Sequence, residues 1–266
     1  VRVVYKTVLI DLDDTLLVEE RSAYLSFMAV AEYLGSYHDI IPEEFVATVR
    51  AAARELWYSL PAHGYAKSIG IASHEALWAE FSGDTAEQRE LLKQRDFYQK
   101  HAWLNALGKY NINDEDLAVR LSSLFREERR KRHVLFDDAV MFLDRLREMK
   151  VAMALISNGT PDLQREKIRG SGVGHFFRCI AISGEIGHRK PRGEIFMHCL
   201  RSLGSSAGQS IMIGDRLDTD IQGANDMGIT SVWLNRDCRR NLSGIVPDFE
   251  IHGLTEAIPL VCEAGG

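Results

Sequence analysis

The stretch TVLIDLDDTLL (residues 7–17) joins a run of branched apolar side chains to three carboxylates. Its apolar half is typical of a strand that is buried on both faces. Asp11, Asp13 and Asp14 follow where that strand would end. An ordinary acidic turn and a catalytic or metal-binding site both fit this pattern, and the other strand ends of the chain distinguish between them.

Short apolar runs alternate with helical patterns over most of the chain. The runs lie at residues 8–10, 151–156, 180–182, 211–213 and 231–234, and residues 248–251 are interpreted as one more strand. Continuous apolar runs fit strands that are buried on both faces, and intervening helices indicate parallel βαβ units. We therefore predict an α/β fold with a doubly wound, mostly parallel, Rossmann-like sheet.

The segment 19–133 contains amphipathic helical patterns and no convincing strand. The patterns lie at residues 23–34, 42–60, 74–81, 87–107 and 115–132. The segment interrupts the first βα crossover, so we predict a catalytic core of residues 1–18 and 134–266 and a helical cap of residues 19–133. Ligands of open α/β sheets bind at the carboxyl ends of the strands, which is where this insertion begins.

The overall composition is that of a globular, slightly acidic protein. Of 266 residues, 45% are hydrophobic and 26% charged, and the formal net charge is −6, so we do not expect nucleic acid as a partner. The basic cluster REERRKRH (residues 126–133) also carries two glutamates and is interpreted as the solvated face of a helix.

Cysteine usage and hydropathy indicate the compartment. The cysteines at positions 179, 199, 238 and 262 have no metal-ligand spacing, which fits free thiols in a reducing cytosol. No apolar run approaches the roughly 20 residues that span a bilayer, and no secretory signal pattern is visible. We expect a soluble, cytoplasmic protein with no membrane partner.

A hydroxyl and backbone donors follow the second predicted strand, which ends in LISNGT (residues 155–160). Ser157 stands at the end of the strand, and Asn158 and Gly159 precede a predicted helix. Hydroxyl and N–H groups at a helix N-terminus form an anion site. A plain strand-to-helix turn with Thr160 as N-cap is a compatible alternative.

A lysine loop and a second acidic strand end complete the pattern. Pro191 keeps Lys190 out of a helix, so this side chain is either a solvated charge or a fixed cation for phosphate. A later strand ends in GDRLDTD, with Asp215, Asp218 and Asp220. Mg²⁺ prefers such oxygen ligands together with substrate phosphate, although Asp218 is better interpreted as a helix N-cap.

In this order, the four segments resemble the signature motifs of the haloacid dehalogenase (HAD) superfamily. The motif residues are Asp11 and Asp13, Ser157, Lys190 with Pro191, and Asp215 with Asp220. The inserted helices are similar to the C1-type cap of that superfamily. Within it, the chain looks most like the phosphatases of the N-acylneuraminate-9-phosphatase kind.

The resemblance implies a Mg²⁺-dependent phosphatase that works through an aspartyl-phosphate. Asp11 would be the nucleophile, and Asp13 would be the general acid and base. The implied metal residues are Asp11, Asp13 (through its backbone carbonyl), Asp215 and Asp220, the last as an outer-sphere acid or as the partner that orients Lys190. The implied phosphate-binding residues are Ser157, Asn158, Gly159 and Lys190.

Asp13 also separates the activities of the superfamily. A halide leaving group needs no proton, and the dehalogenases and phosphonatases lack an acid at this position, so Asp13 favours phosphate esters. A phosphomutase is the main alternative, and a non-catalytic phospholigand-binding protein is another. We expect a small phosphorylated metabolite, of the sugar or nucleotide phosphate type, as the partner of a monomer or homodimer.

Substrate choice is expected to lie in the cap. The stretch WYSLPAHGYAKSIG (residues 57–70) breaks the helical pattern with a proline and two glycines. Its residues Trp57, His63 and Lys67 make it a candidate specificity loop. The alternative is a helix–helix connection whose aromatic side chains pack inside the cap.

Overall fold

The computed structural model describes residues 5–83 and 85–262. Its strands are β1 (Thr7–Ile10), β2 (Ala152–Ser157), β3 (Cys179–Ile182), β4 (Ser210–Gly214), β5 (Thr230–Leu234) and β6 (Phe249–Ile251). Its α-helices are α1 (Glu19–Gly35), α2 (Pro42–Ser59), α3 (His63–Ile69), α4 (Ser73–Ala76), α5 (Ala86–Gly108), α6 (Glu115–Arg130), α7 (Ala139–Glu148), α8 (Pro161–Ser171), α9 (Ser183–Ile186), α10 (Gly193–Leu203), α11 (Gln222–Asp226) and α12 (Ala257–Cys262). None of the helices in this part of the chain combines the length and the apolar character needed to cross a bilayer.

The strands form one sheet in the order β3-β2-β1-β4-β5-β6, and every pairing is parallel. The predicted α/β class with a doubly wound sheet is therefore confirmed. The chain builds outward from β1 to β3 on one side and from β4 to β6 on the other. The topological switch point thus lies between β1 and β4, where ligands bind in folds of this kind.

Side chains from β1 enter two different apolar layers. Val8 and Ile10 belong to a buried cluster with Phe142 of α7, whereas Leu9 belongs to a second cluster with Phe196 of α10. Helices therefore cover both faces of the sheet, which is why its strands appear in the sequence as uninterrupted apolar runs.

The chain divides into two compact units. The core unit contains the chain up to Val18, Val134–Asn158 and the residues from Lys167 onward. The helical unit contains Glu19–His133 and Gly159–Glu166. The sequence prediction assigned the last segment to the core. It groups with the helical unit because Gly159 N–H donates to the Ile69 carbonyl (3.1 Å) and Glu80 N–H donates to Asp162 Oδ2 (2.6 Å).

The helical unit has its own aromatic core. Phe27 of α1 packs against Phe125 of α6, with ring centroids 4.4 Å apart. Trp103 of α5 lies 5.6 Å from the same Phe125 ring. Burial of such side chains stabilises the fold by roughly 1.5–3 kcal/mol each. This cluster therefore gives the helical unit a hydrophobic core of its own.

Trp57 lies in this core and not in a loop. It belongs to α2 and is 1% exposed, and its ring stacks on Phe81 at 6.0 Å and contacts Tyr98 at 4.9 Å. The prediction that Trp57 is a specificity residue is therefore wrong. The large apolar ring that marked it as a ligand contact instead fills the interior of the helical unit.

The rest of the 57–70 segment is largely helical. His63 and Lys67 lie in α3, which is followed by Gly70 in a left-handed conformation. The His63 ring contacts Tyr58 at 4.8 Å, and the Lys67 side chain is exposed. The role of these two side chains in specificity stays a prediction.

The helix predicted at residues 74–81 is only one turn long. α4 ends at Ala76, since Gln99 Nε2 donates to the carbonyls of Ala76 (3.1 Å) and Ala79 (2.8 Å). These bonds satisfy the carbonyls without a further helical turn. Phe81 then adopts a left-handed φ of 51°, which turns the chain away.

The basic cluster at residues 126–133 is not solvated throughout. Arg129 is fully buried, and its Nη2 donates to Glu19 Oε1 at 2.6 Å while its guanidinium carbon lies 4.8 Å from the Trp78 ring centroid. For Arg129 the sequence prediction is wrong, because a carboxylate and an aromatic face within the helical unit replace water around the cation.

Candidate active site

Three neighbouring strands place polar side chains at one edge of the sheet. Asp11 follows β1, Ser157 ends β2 and Asp215 follows β4. Asp11 N–H donates to the Ile213 carbonyl at 3.0 Å, so the hydrogen-bond ladder between β1 and β4 extends to Asp11 and holds its backbone in place. The core unit thus brings together, at the switch point, residues that are up to 204 positions apart in the sequence.

Lys190 is buried among acceptors in the centre of the site. Its ammonium contacts Asp11 Oδ1, Asp220 Oδ1 (2.8 Å) and the Ile156 carbonyl (2.9 Å). Burial disfavours the charged ammonium, but the carboxylates of Asp11 and Asp220 outweigh that effect and raise the pKa of Lys190. The side chain is therefore a fixed cation, and Asp220 occupies the predicted position of its orienting partner.

Asn158 anchors the loop that carries Lys190. Its Oδ1 accepts from Lys190 N–H at 2.8 Å, and its Nδ2 donates to the Lys190 carbonyl at 3.2 Å. The Lys190–Pro191 peptide is cis. The sequence pattern predicted a phosphate contact through the Asn158 backbone N–H, and the structure shows that its side chain also holds the Lys190 backbone.

Gly159 does not lie as predicted. Its N–H is donated to the Ile69 carbonyl, so the prediction that this donor holds phosphate is wrong in this structure. Glycine is required here for another reason. Its φ is +143°, and an added Cβ would lie 3.1 Å from the side chain of Gln164.

Asp220 is fully buried below the end of β4. A π-helical turn, Leu217–Ile221, brings it back so that its Oδ2 accepts from Arg216 N–H at 3.1 Å. An added Cβ on Gly214 would lie 2.3 Å from the same oxygen, so only glycine leaves room for it. Asp218, predicted as an N-cap, instead pairs with Arg216 at 2.8 Å on the surface.

The site has the donor set of a hard divalent cation. Asp11, Asp215 and Asp220 each offer a carboxylate oxygen, and these oxygens lie within 4.8 Å of one another. Asp215 Oδ1 is buried and has no hydrogen-bond partner among the described residues. A buried, unsatisfied oxygen beside two further carboxylates fits Mg²⁺, which takes oxygen ligands. The carboxylate of Asp13 is not in this group.

Burial and crowding change the acidity of this group. Burial raises the pKa of Asp11 to about 6, and the Asp220 carboxylate adds to that effect while Lys190 opposes it. Burial raises the pKa of Asp215 to about 8, reinforced by the charges of Asp11 and Asp220. A divalent cation would favour the ionised forms, so the group is arranged to release protons when it binds metal.

Asp215 is held by two residues that the sequence analysis did not identify. Trp233 Nε1 donates to the Asp215 carbonyl at 2.9 Å, and Arg239 Nη2 donates to it at 3.2 Å. Both lie in or after β5, the strand next to β4. No local pattern marks them, because their function depends on the pairing of these two strands.

Lys167 is a further site residue that was missed. Its Nζ lies 3.0 Å from Asp13 Oδ1, within the core unit. The available signal was its position: Leu163, Gln164, Lys167 and Ile168 share one buried face of α8. A lysine on a helical face that otherwise packs inward is unusual unless it is paired.

Comparison with known proteins agrees with this geometry. A family model described as haloacid dehalogenase-like hydrolase matches residues 5–228. The phosphoserine phosphatase of Thermus thermophilus is 35% identical over 251 residues, covering 94% of this chain and 97% of that protein. Mouse N-acylneuraminate-9-phosphatase is 35% identical over 150 residues, covering 56% of this chain and 60% of that protein.

Solved structures share the fold over 97% of the chain. The HAD-hydrolase YfnB of Bacillus subtilis, bound to magnesium, has a TM-score of 0.67 at 24% identity and covers 97% of this chain and 99% of its own. The L-2-haloacid dehalogenase of Xanthobacter autotrophicus has a TM-score of 0.61 at 18% identity, with coverages of 97% and 98%. At these identities the likeness shows the fold alone.

Proposed function

The chain belongs to the haloacid dehalogenase-like hydrolase family and is a phosphatase of that family, and on this premise we propose that it is a Mg²⁺-dependent enzyme that hydrolyses a small phosphorylated metabolite through an aspartyl-phosphate. The observation that supports this most strongly is the buried cluster of Lys190 with Asp11 and Asp220 beside the unsatisfied Asp215. It combines a nucleophile, a fixed cation and metal ligands at one edge of the sheet.

In the first step, a carboxylate oxygen of Asp11 attacks phosphorus and the bond to the ester oxygen breaks. Asp13 gives its proton to the leaving oxygen, so the product leaves as an alcohol. In the second step, Asp13 takes a proton from water, which attacks phosphorus and releases phosphate and free Asp11. The positive charge of Lys190 stays beside Asp11 in both steps, because three acceptors fix the position of its ammonium.

Asp11 and Asp215 would hold the cation, together with the Asp13 backbone carbonyl, while Asp220 keeps Lys190 in place. When bound, Mg²⁺ supplies charge neutralisation for the phosphate oxygens. The buried, unsatisfied Oδ1 of Asp215 supports this assignment.

Asp13 supports phosphate ester cleavage against dehalogenation, although dehalogenases share the fold. An alkoxide needs a proton in order to leave, whereas a halide does not. The Asp13 side chain is 23% exposed, and this access to solvent supports its proposed role as the group that gives that proton and takes it back. A phosphomutase would keep the same acid, and it is distinguished by transfer of phosphate to a second hydroxyl instead of to water.

The substrate class is proposed from the relatives. The phosphoserine phosphatase of T. thermophilus is alike over nearly the whole chain, including the helical unit, so phosphoserine is the first monoester to test. The N-acylneuraminate-9-phosphatases match a shorter part, so sugar phosphates come next, followed by nucleotides.

The test is release of inorganic phosphate from this panel with Mg²⁺. Asp11→Asn should lower kcat by on the order of a thousandfold or more, because it removes the nucleophile, and EDTA should do the same. Asp14→Asn is the matched control, because Asp14 adopts a left-handed φ of 59° that asparagine tolerates, and it should retain activity within about threefold. Full activity of Asp11→Asn, or no phosphate release by the wild type, would contradict the proposal.

A further inference from the structure

Lys167 of α8 is a buried cation outside the four motifs. Its side chain has no exposed surface, and its Nζ lies 3.0 Å from Oδ1 of Asp13, the proposed general acid. Buried apolar side chains, Leu163 and Ile168, share its face of the helix. An apolar residue would fit this position by pattern alone.

A buried ammonium is costly unless a counter-charge compensates it. Replacing such a pair by apolar side chains is often neutral or stabilising, so stability alone gives little reason for this lysine. Asp13 could also remain solvated without it, since the Asp13 side chain is 23% exposed. The pair therefore suggests a role in what Asp13 does.

We propose that Lys167 is a positioning residue that fixes which oxygen of Asp13 carries the acidic proton. An ammonium only donates hydrogen bonds, so Oδ1 must accept while it is bound to Lys167. In the acid form, the proton is thus confined to Oδ2. The inference rests on the proposed function, because it concerns the proton that Asp13 gives to the leaving group.

The step concerned is the first half of the reaction. A carboxylate oxygen of Asp11 forms a bond to phosphorus, the bond between phosphorus and the ester oxygen breaks, and the proton on Asp13 Oδ2 passes to that oxygen. Lys167 keeps its own protons and touches no reacting atom. Its effect should therefore scale with how much the leaving group needs a proton.

Two aryl substrates of nearly equal size provide the test. The phenolate of para-nitrophenyl phosphate leaves without a proton, whereas the alkoxide of para-nitrobenzyl phosphate needs one. For Lys167→Met, we expect kcat/KM to fall at least about tenfold with the benzyl ester and less than about threefold with the phenyl ester. Lys167→Arg, which keeps a donor-only cation, should recover most of the loss.

The controls separate this role from a structural one. Arg169→Met removes an exposed cation from the same helix and should leave both substrates unchanged. Circular dichroism verifies that each variant folds. If Lys167→Met does not fold, the shorter, uncharged Lys167→Gln takes its place with the same expected selective loss.

An equal loss on both substrates, or no loss on either, overturns the role of Lys167 while leaving the proposed function intact. A wild-type enzyme that releases phosphate from neither ester and from no monoester of the metabolite panel with Mg²⁺ overturns the proposed function and, with it, the role of Lys167. A selective loss that Lys167→Arg does not reverse also overturns the inference, because it would then not depend on a donor-only cation.

Discussion

Asp11, Asp215 and Asp220 offer carboxylate oxygens that lie within 4.8 Å of one another, and burial makes their mutual repulsion costly. Lys190 compensates two of them directly, Asp11 and Asp220. Asp215 has a more distant cation, Arg239 Nη2 at 3.6 Å from its Oδ2, together with an unsatisfied Oδ1 and a pKa raised to about 8, mainly by burial. Of the three carboxylates, Asp215 is therefore the one through which a bound metal should affect the free energy of unfolding.

We predict that Asp215→Asn stabilises the protein in magnesium-free buffer as pH rises. The folded pKa lies above the usual value of 3.8, so the folded wild type binds the proton more tightly and loses stability as pH rises from about 4 through about 8. Asparagine does not titrate. Between pH 6 and pH 8.5, the free energy of unfolding of the variant should rise relative to that of the wild type by on the order of 2 kcal/mol. This corresponds to roughly 4–8 °C in the difference between their melting midpoints.

Magnesium should favour the stability of the wild type over that of Asp215→Asn. It should raise the midpoint of the wild type but not that of Asp215→Asn, because a ligand stabilises only the state that binds it. Asp218→Asn is the control, since this exposed acid pairs with Arg216 and should respond to Mg²⁺ like the wild type. An equal midpoint rise in Asp215→Asn would count against the metal assignment.

At the level of elements, the end of β4 and the turn behind it act as one piece. Gly214 is the last residue of the strand, and the following π-helical turn returns Asp220 against it. The position of Lys190 depends on this close approach, because Asp220 Oδ1 is one of its acceptors.

Gly214→Ala should displace Asp220 and thereby Lys190. The added Cβ would lie 2.3 Å from Asp220 Oδ2, so we expect a loss of about 1–3 kcal/mol of unfolding free energy and at least about a tenfold fall in kcat/KM. Gly208→Ala is the matched control, because nothing lies within 4 Å of its added Cβ. Thermal melts and phosphate release measure both effects, and wild-type values for Gly214→Ala would disprove the close approach.

Separate clusters of buried side chains stabilise the two units of the molecule. The core unit buries two apolar layers, one on each face of the sheet, and the helical unit buries an aromatic cluster that includes Trp57. Trp57 was a candidate for substrate contact, and its burial makes it a determinant of stability instead.

Trp57→Ala should lower the free energy of unfolding by about 3–5 kcal/mol, because it leaves a cavity in the aromatic cluster. Tyr58→Ala, at the neighbouring position that is 62% exposed, should change it by less than about 0.5 kcal/mol. Urea titration followed by circular dichroism measures both. Equal, small effects would mean that Trp57 is not a core residue.

The sequence alone determined the α/β class and the acids, hydroxyl and lysine of the candidate site. It did so because buried parallel strands require continuous apolar runs, and polar side chains can follow only where those runs end. Asp11, Ser157 and Asp215 stand at the ends of such runs, which predicts that they meet at one edge of the sheet, and the resemblance to the HAD motifs adds Lys190.

Only the tertiary structure decided which partners these residues have. The Lys167–Asp13 pair, the Arg129–Glu19 pair and the burial of Trp57 join positions far apart in the chain, and charge or hydropathy at one position does not reveal its partner. The sequence does not distinguish a solvated lysine from one that is buried against a carboxylate. The difference lies in packing, which depends on how separate helices and strands meet.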